Sequence, residues 1–424
     1  MVMSRVLVIG AGAAGTMAAI HAATAGAEVT LLERTRDGGR KILISGGGRC
    51  NVLPSQLDES RFVTDSSPNL LRKMVRAWPL ADQRRFFEET LGIPLQEETE
   101  SRKLFPVSQR ARDVRDALIA QARAVGVRLR METHVTGITP TATGWTVALA
   151  NDAPLEADAV IVATGGRSVP ATGSDGGGLA LLEQLGHTLH PTYAALTPVT
   201  APPSPFADLA GISMRVGLTA QSATRRAEAY GGFLFTHQGY SGPALLNVSH
   251  VAVRARAEQA PARVQVQWTA RGEAEWLAAL APAGARTVTG ALKAVLPDRL
   301  VAVLLAQADV EPTRVLADLR RDERRRLIDV LVRGELPWHG DEGYKKAEVT
   351  GGGVALSEVH PQTMESRRHP GLFLCGEVLD AFGPIGGYNF LWAWATGRAA
   401  GQGAAAKSPV TTAIPREADA GSTP

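Results

Sequence analysis

The segment Arg5-Val6-Leu7-Val8-Ile9-Gly10-Ala11-Gly12-Ala13-Ala14-Gly15 constrains this chain more than any other. Its aliphatic run predicts a buried strand, and the Ala-rich stretch from Met17 to Ala25 predicts a helix. Between them stands Gly-x-Gly-x-x-Gly. In that pattern Gly10 permits the tight turn, Gly12 lets the backbone approach a pyrophosphate, and Gly15 lets helix and strand pack closely. The helix start at Ala13 and Ala14 offers N–H groups and a favourable dipole to the phosphates. A second predicted strand, Glu28 to Leu32, ends at Glu33, which stands 18 residues after Gly15. An acidic residue near that spacing takes the ribose hydroxyls in dinucleotide-binding units. The expectation is an α/β chain with a dinucleotide-binding Rossmann unit at its N-terminus.

The 424 residues leave room for two or three domains, and 45% apolar with 21% charged residues is ordinary globular composition. The apolar run before the Gly motif is too short for a signal peptide, and no stretch reaches the roughly 18 apolar residues of a membrane span. A cytoplasmic location is expected. The two cysteines, Cys50 and Cys375, provide no disulfide framework and no Cys-based zinc motif, so no metal site is expected. A formal charge of +3 argues little about nucleic acid.

After Glu33 and Arg34 comes a second Gly-rich segment, Lys41-Ile42-Leu43-Ile44-Ser45-Gly46-Gly47-Gly48-Arg49-Cys50-Asn51. Successive glycine N–H groups flanked by Lys41 and Arg49 predict a wrap around an anionic or electron-rich cofactor. Cys50 has two readings: a redox-active thiol beside the cofactor or paired with Cys375, and a small buried residue of a tight loop. Strands are predicted over Val127–Met131 and Thr133–Thr139, the latter containing Val135, followed by a β-meander through Trp145–Leu149 and the Leu155 region. Ala159-Val160-Ile161-Val162-Ala163-Thr164-Gly165-Gly166 predicts a buried strand whose terminal turn passes the cofactor. One Gly-x-Gly-x-x-Gly unit, then a meander, then a strand ending in a Gly pair is the layout of FAD-dependent Rossmann proteins.

Composition changes near His190, where several prolines punctuate a strand-poor connection. Strands are predicted over Ser213–Thr219, Gly232–Thr236, Leu245–Val253 and Arg263–Trp268, giving a small antiparallel β domain at 191–270. Within it, Phe235-Thr236-His237-Gln238-Gly239-Tyr240-Ser241-Gly242-Pro243 offers His237 and Tyr240 as acid–base groups, or else a surface turn with an incidental His. Residues 271–335 read as helical. Their basic run Arg320–Arg326 reads as a solvated helix face in preference to a nucleic-acid contact. From 336 the chain returns to the first domain through Val349–Val354 and Gly371–Asp380, which includes Gly376 and Glu377. Gly386-Gly387-Tyr388-Asn389 then opens an Ala-rich helix to Gly403, an N-terminus suited to the electron-rich edge of a flavin. Residues 404–424 read as a disordered tail.

These motifs, together with Phe105-Pro106-Val107-Ser108-Gln109-Arg110-Ala111 and Val349-Thr350-Gly351-Gly352-Gly353-Val354, resemble one family. It is that of the aminoacetone oxidase-like and bile-acid-inducible-flavoprotein-like FAD-binding proteins, NAD(P)/FAD-dependent oxidoreductases. The resemblance runs from Ser4 to Gly403. It implies an FAD-type Rossmann domain split between 1–190 and 336–403, with an inserted antiparallel β-barrel-like domain and a small helical domain. It implies FAD contacts at Gly10, Gly12, Ala13, Ala14, Gly15, Glu33, Arg34, Lys41, Ser45–Asn51, Val135, Ala163, Thr164, Gly165, Gly376, Glu377 and Gly386–Asn389. The expected activity is hydride transfer between flavin N5 and a small organic substrate or NAD(P)H, and the residues themselves offer His237, Tyr240, Tyr388 and Cys50 as catalytic candidates. No second Gly-x-Gly-x-x-Gly unit is present for NAD(P)H. A flavin-dependent RNA-modifying enzyme and a flavin-binding protein without turnover are the competing classes. The chain departs from the family pattern at Leu53-Pro54 and at Gly173-Ser174-Asp175-Gly176-Gly177-Gly178-Leu179.

Overall fold

The computed structural model describes residues 3–202 and 206–407. Strand β1 (Arg5–Ile9), helix α1 (Ala13–Thr24) and strand β2 (Glu28–Leu32) form around the Gly-rich turn as the pattern predicts. β1 is the middle strand of a parallel five-stranded sheet ordered Leu372–Leu374, Ala159–Val162, β1, β2, Arg128–Arg130. Val8, Val160, Ile161 and Leu374 are fully buried, as a sheet covered on both faces requires.

The C-terminal part of the chain is built into this layer. The final helix, Tyr388–Ala405, crosses α1 through two glycines. A Cβ at Gly397 would stand 2.4 Å from the Ala14 carbonyl oxygen, and one at Gly401 would stand 2.2 Å from that of Ala18. The two backbones therefore meet directly. Helix and burial continue to Ala404, so the tail expected from 404 does not begin there. The remainder of that expectation, from 408, lies outside the described residues.

The chain leaves and re-enters this layer through one antiparallel ribbon, Leu189–Ala195 paired with Val349–Val354. The connection after His190 is thus a strand, contrary to the strand-poor reading. Pro191 cannot donate to a ladder, and the register shifts between His190 and Tyr193 to accommodate it. That break hides the alternation.

Beyond the ribbon lies a seven-stranded antiparallel sheet. Its order is Gly334–Glu335, Ala262–Gln267, Ser213–Ser222, Arg226–Thr236, Gly239–Ser241, Val199–Thr200, Gly340–Asp341. The expected strand Leu245–Val253 is instead part of the helix Pro243–Ala257. Gly242 (φ +96°) makes the turn, and Pro243 is pre-organised for a first helical position. Ten of its 15 residues are buried, among them the unbroken run Val248–Val253, so the apolar pattern does not betray its period. Helices Glu273–Ala279, Val288–Lys293, Asp298–Gln307 and Arg321–Arg333 share its core.

Buried side chains form two main cores. One surrounds the parallel sheet, and the other draws on Val199 to Leu336. A small third cluster, Ala195, Leu196, Leu246, Val349 and Phe382, lies where they meet. Among the described residues no helix is long and apolar enough to cross a membrane.

Candidate functional site

A cavity of about 1050 Å³ runs along the carboxyl ends of the parallel strands, past Ile9, Leu32 and Ala163. This is where open α/β sheets bind ligands. Gly10 (φ +102°) is required by the fold, since a Cβ there would lie 2.7 Å from the Ala163 carbonyl oxygen. Gly15 is required too, with a Cβ only 1.9 Å from the Gly10 carbonyl oxygen, but it does not line the cavity. Gly12 differs from both. Nothing in the chain lies within 4 Å of a Cβ at that position, and Gly12 faces the cavity. Ala13 and Ala14 line it as well, on a helix start with no side-chain cap and no acid in its first turn.

Glu33 also faces the cavity, but much of its carboxylate serves the fold. Oε2 accepts from Ala11 N–H at 2.8 Å, and Oε1 accepts from Thr35 N–H and Oγ1, both at 2.8 Å. Arg34 pairs with Asp175 at 2.6 Å. Asp175 in turn accepts from Gly177 N–H at the start of helix Gly177–Gln184. Burial would raise the Asp175 carboxyl, but Arg34 and the Gly177 N–H hold it below the usual carboxylate range. Val135, Ala163, Thr164 and Gly165 complete this end.

In the second Gly segment, Gly46, Gly47 and Gly48 all have positive φ. Ser45, Gly46, Gly47, Arg49 and Asn51 line the cavity; Gly48 and Cys50 do not. Arg49 lies 4.2 Å over the Phe105 ring and pairs with Glu98 at 3.0 Å. The Asn51 amide accepts from Gly387 N–H at 2.9 Å and donates to the Leu53 carbonyl at 3.2 Å, tying this segment to the final helix. Cys50 and Cys375 are both free and buried, which overturns the pairing reading. Burial pushes the Cys50 thiol up to about 12, against a hydrogen bond with Ser45, and also raises Cys375. A thiol so protonated and enclosed is a packing residue.

Lys41 Nζ pairs with Glu377 Oε2 at 2.6 Å and donates to Ser168 Oγ at 2.7 Å. Glu377 Oε1 accepts from Ser168 Oγ at 2.8 Å and from Thr350 N–H at 2.9 Å. Burial alone would raise this carboxyl; the Lys41 charge and these donors outweigh it and hold it low. Gly376, Gly386, Gly387 and Asn389 line the far end. Gly387 (φ +88°) packs on Leu53, where a Cβ would approach the backbone to 2.3 Å. The Leu53-Pro54 departure thus lies beneath the start of the final helix.

The catalytic candidates are not gathered here. Tyr388 points away: its ring packs on Phe62, and its hydroxyl accepts from Asp58 N–H at 3.2 Å. His237 is exposed in the turn after Arg226–Thr236. Tyr240 is buried among Phe206, Phe233 and Phe235 in the second core. The cavity instead holds titratable residues outside the expected site, among them Lys103 and Glu348. Lys103 directly precedes the Leu104-Phe105-Pro106 motif, and Glu348 ends the charged run Lys345-Lys346-Ala347-Glu348 ahead of a strand. Those adjacencies were the available signal.

The family description that matches is "HI0933-like protein Rossmann domain", over residues 4–403. The chain belongs to the HI0933-like family. Among its relatives is the 3-dehydro-bile acid delta(4,6)-reductase of Clostridium scindens, 32% identical over 95% of this chain and 99% of that protein. Another is the ribosomal RNA dihydrouridine synthase of Escherichia coli K12, 33% identical over 93% of this chain and 96% of that one. The 3-ketosteroid-delta4-(5alpha)-dehydrogenase of Rhodococcus jostii is a more distant structural neighbour. It has 17% identity and a TM-score of 0.48, with 95% of this chain and 97% of that one covered.

The HI0933-like site fits FAD on features of its own. The open space at Gly12 admits a pyrophosphate against the backbone. Two uncapped helix N-termini, those of α1 and the final helix, face one cavity and both favour negative charge. Gly10, Gly12, Ala13, Ala14, Glu33 and Arg34 would hold the adenosine-diphosphate half; Lys41, Ser45–Gly47, Gly386, Gly387 and Asn389 would hold the ring half.

Proposed function

We propose that this FAD-dependent oxidoreductase saturates a carbon–carbon double bond conjugated to a carbonyl. The observation that carries the reading is the shared chemistry of its two relatives at essentially full length. A delta(4,6)-reductase of a 3-oxo steroid acid and a dihydrouridine synthase both add two hydrogens to such a bond. When bound, the flavin supplies two-electron chemistry at its ring. The chain supplies binding, orientation and protons. Lys41 and Glu377, locked to Ser168 and Thr350, form a rigid wall, and Phe382 and Ile385 add an apolar face.

We also propose a division of labour along the two cores. Residues 1–190 and 336–403 bind the cofactor, while 191–270 and 271–335 stand behind one wall of its cavity; the ribbon Leu189–Ala195/Val349–Val354 joins them. Asn247 Oδ1 accepts from Ile385 N–H at 2.8 Å, so the inserted part reaches the cavity wall directly. A small conjugated ketone is the favoured substrate class, NAD(P)H a candidate reductant, and the uracil ring of ribosomal RNA the second reading, which the Escherichia coli relative supports. FAD-loaded protein, photoreduced without oxygen, tests this. Reoxidation by conjugated enones but not by isolated alkenes is expected, and a uridine-containing RNA is the parallel arm. Indifference to both would sink the reading.

A further inference from the structure

We propose that Lys103 is the proton donor of this reaction and that Glu348 returns a proton to it, the pair standing at the final-helix end of the cavity. The inference rests on the double-bond reading above. Saturating a conjugated bond breaks its π bond and forms two C–H bonds, one from a hydride at the β carbon and one from a proton at the α carbon. The reduced flavin, refilled by a nicotinamide or another hydride donor, gives the electron pair. The Lys103 ammonium gives the proton, and the Glu348 carboxyl reprotonates the amine, taking its own proton from water.

Elimination narrows the cavity to this pair. Glu33, Arg34, Arg40, Lys41, Arg49, Asp175 and Glu377 are all held by hydrogen bonds or ion pairs. His134 adjoins Thr133, whose N–H donates to the Glu33 carbonyl at 2.8 Å, and so belongs to the ribose end. Lys345 and Lys346 are exposed on a turn. Two groups are left with no side-chain hydrogen bond or ion pair among the described residues: Lys103, which unlike those lysines is half-buried, and Glu348, a carboxylate that is exposed and lines the cavity. Lys103 Cε lies 3.9 Å from the position a Gly386 Cβ would take, beside the start of the final helix. Glu348 directly precedes Val349, which packs with Phe382 and Ile385 at the same end.

The charges around them suit proton exchange. Burial lowers Lys103 from the ordinary lysine value, Arg49 adds to this, and Glu98 and Glu348 oppose it. Desolvation by the protein around the cavity raises Glu348, against the charge of Lys103. An amine brought down and an acid brought up move toward one another, as general acid–base partners must.

The test uses the FAD-loaded full chain with Lys103→Met, Lys103→Arg and Glu348→Gln, each first checked for a flavin spectrum and thermal midpoint like the parent. In Lys103→Met, reoxidation of the reduced flavin by an enone is expected to slow by roughly 100-fold, the scale of one general acid. Reoxidation by a quinone, which needs no proton on carbon, should change far less. Lys103→Arg should not rescue the enone reaction, because guanidinium holds its proton too tightly. The parent's enone reaction should fall as pH rises through the Lys103 titration, and this limb should move in Glu348→Gln. Equal loss with enone and quinone, or none with either, overturns the inference. A second readout needs no turnover: binding of a phenol, whose phenolate imitates an enolate, followed by the flavin absorbance. Lys103→Met should weaken phenolate binding and Lys103→Arg should restore it. If no enone reoxidises the parent, the double-bond reading fails by itself, and unchanged phenolate binding in Lys103→Met overturns the role of Lys103 separately.

Discussion

Lys41 Nζ and Glu377 Oε2 stand 2.6 Å apart although 336 positions separate them in sequence. The contact joins the second Gly segment to the turn after the last parallel strand, and Ser168 and Thr350 close it on the other side. Lys41→Met leaves the Glu377 carboxylate enclosed without its cation. The expected loss is about 2 kcal/mol of stability, seen as a lower thermal midpoint, together with weaker FAD binding. The sign of the pH effect follows from the lowered carboxyl. Its contribution is fully present above the ordinary glutamate range and is lost as pH falls through the depressed value. The difference between Lys41→Met and the parent should therefore shrink on acidification.

Gly12→Val separates ligand space from folding space. Nothing in the chain meets a Cβ at Gly12, so the FAD-free variant should melt with the parent. Its FAD dissociation constant should rise more than about tenfold, equivalent to at least about 1.4 kcal/mol. Gly15→Ala should do the reverse, since its Cβ would strike the Gly10 carbonyl; about 1–3 kcal/mol of stability is the scale of such overpacking. Equilibrium flavin titration and calorimetry on both variants check the pair. Equal flavin affinity in Gly12→Val would remove Gly12 from the site.

The sequence was most legible where backbone chemistry is strict. Gly10, Gly12 and Gly15 each do something only glycine does, so strand, turn and helix could be placed from them. The cavity residues of Ser45–Asn51 and Gly386–Asn389 were reachable for the same reason, although Gly48, Cys50 and Tyr388 turn aside. Legibility failed where periodicity is silent. Pro243–Ala257 carries an unbroken buried run, Val248–Val253, that reads equally as strand, and Pro191 interrupts the ribbon that carries the chain between its cores. It failed again for acid–base groups. His237 and Tyr240 attract notice by residue type, whereas Lys103 and Glu348 become significant only when the fold brings 103, 348 and 386 to one wall.

Cys50 and Cys375 should both behave as enclosed thiols. Burial raises them far above the solvent range. In the native protein at pH 8 neither should react with an aromatic disulfide reagent on the minutes scale; both should react at once in denaturant. A fast native thiol would restore a redox role for Cys50.

Glu323 gives the cleanest pH test, far from the cavity. It lies in helix Arg321–Arg333, buried, where Oε1 accepts from Arg320 at 2.8 Å and Arg314 at 3.0 Å. Its Oε2 accepts from the Arg320 N–H at 2.9 Å, capping the helix start. The Arg320 side chain is the main cause that brings this carboxyl down to about 2, with the Arg320 N–H and Arg314 assisting against burial. Much of the basic run is thereby engaged, Arg326 with Asp322 at 3.0 Å included. Because the folded value lies below the unfolded one, Glu323 stabilises fully above pH ~4.3 and loses its effect as pH falls toward 2. Glu323→Gln should cost about 2 kcal/mol at pH 7, the scale of charged hydrogen bonds lost. The gap to the parent should narrow below pH ~4 and close as pH falls through 2, below which both side chains are neutral. A gap that stays constant from pH 7 to pH 3 would show that shape, not charge, holds this corner of the second core.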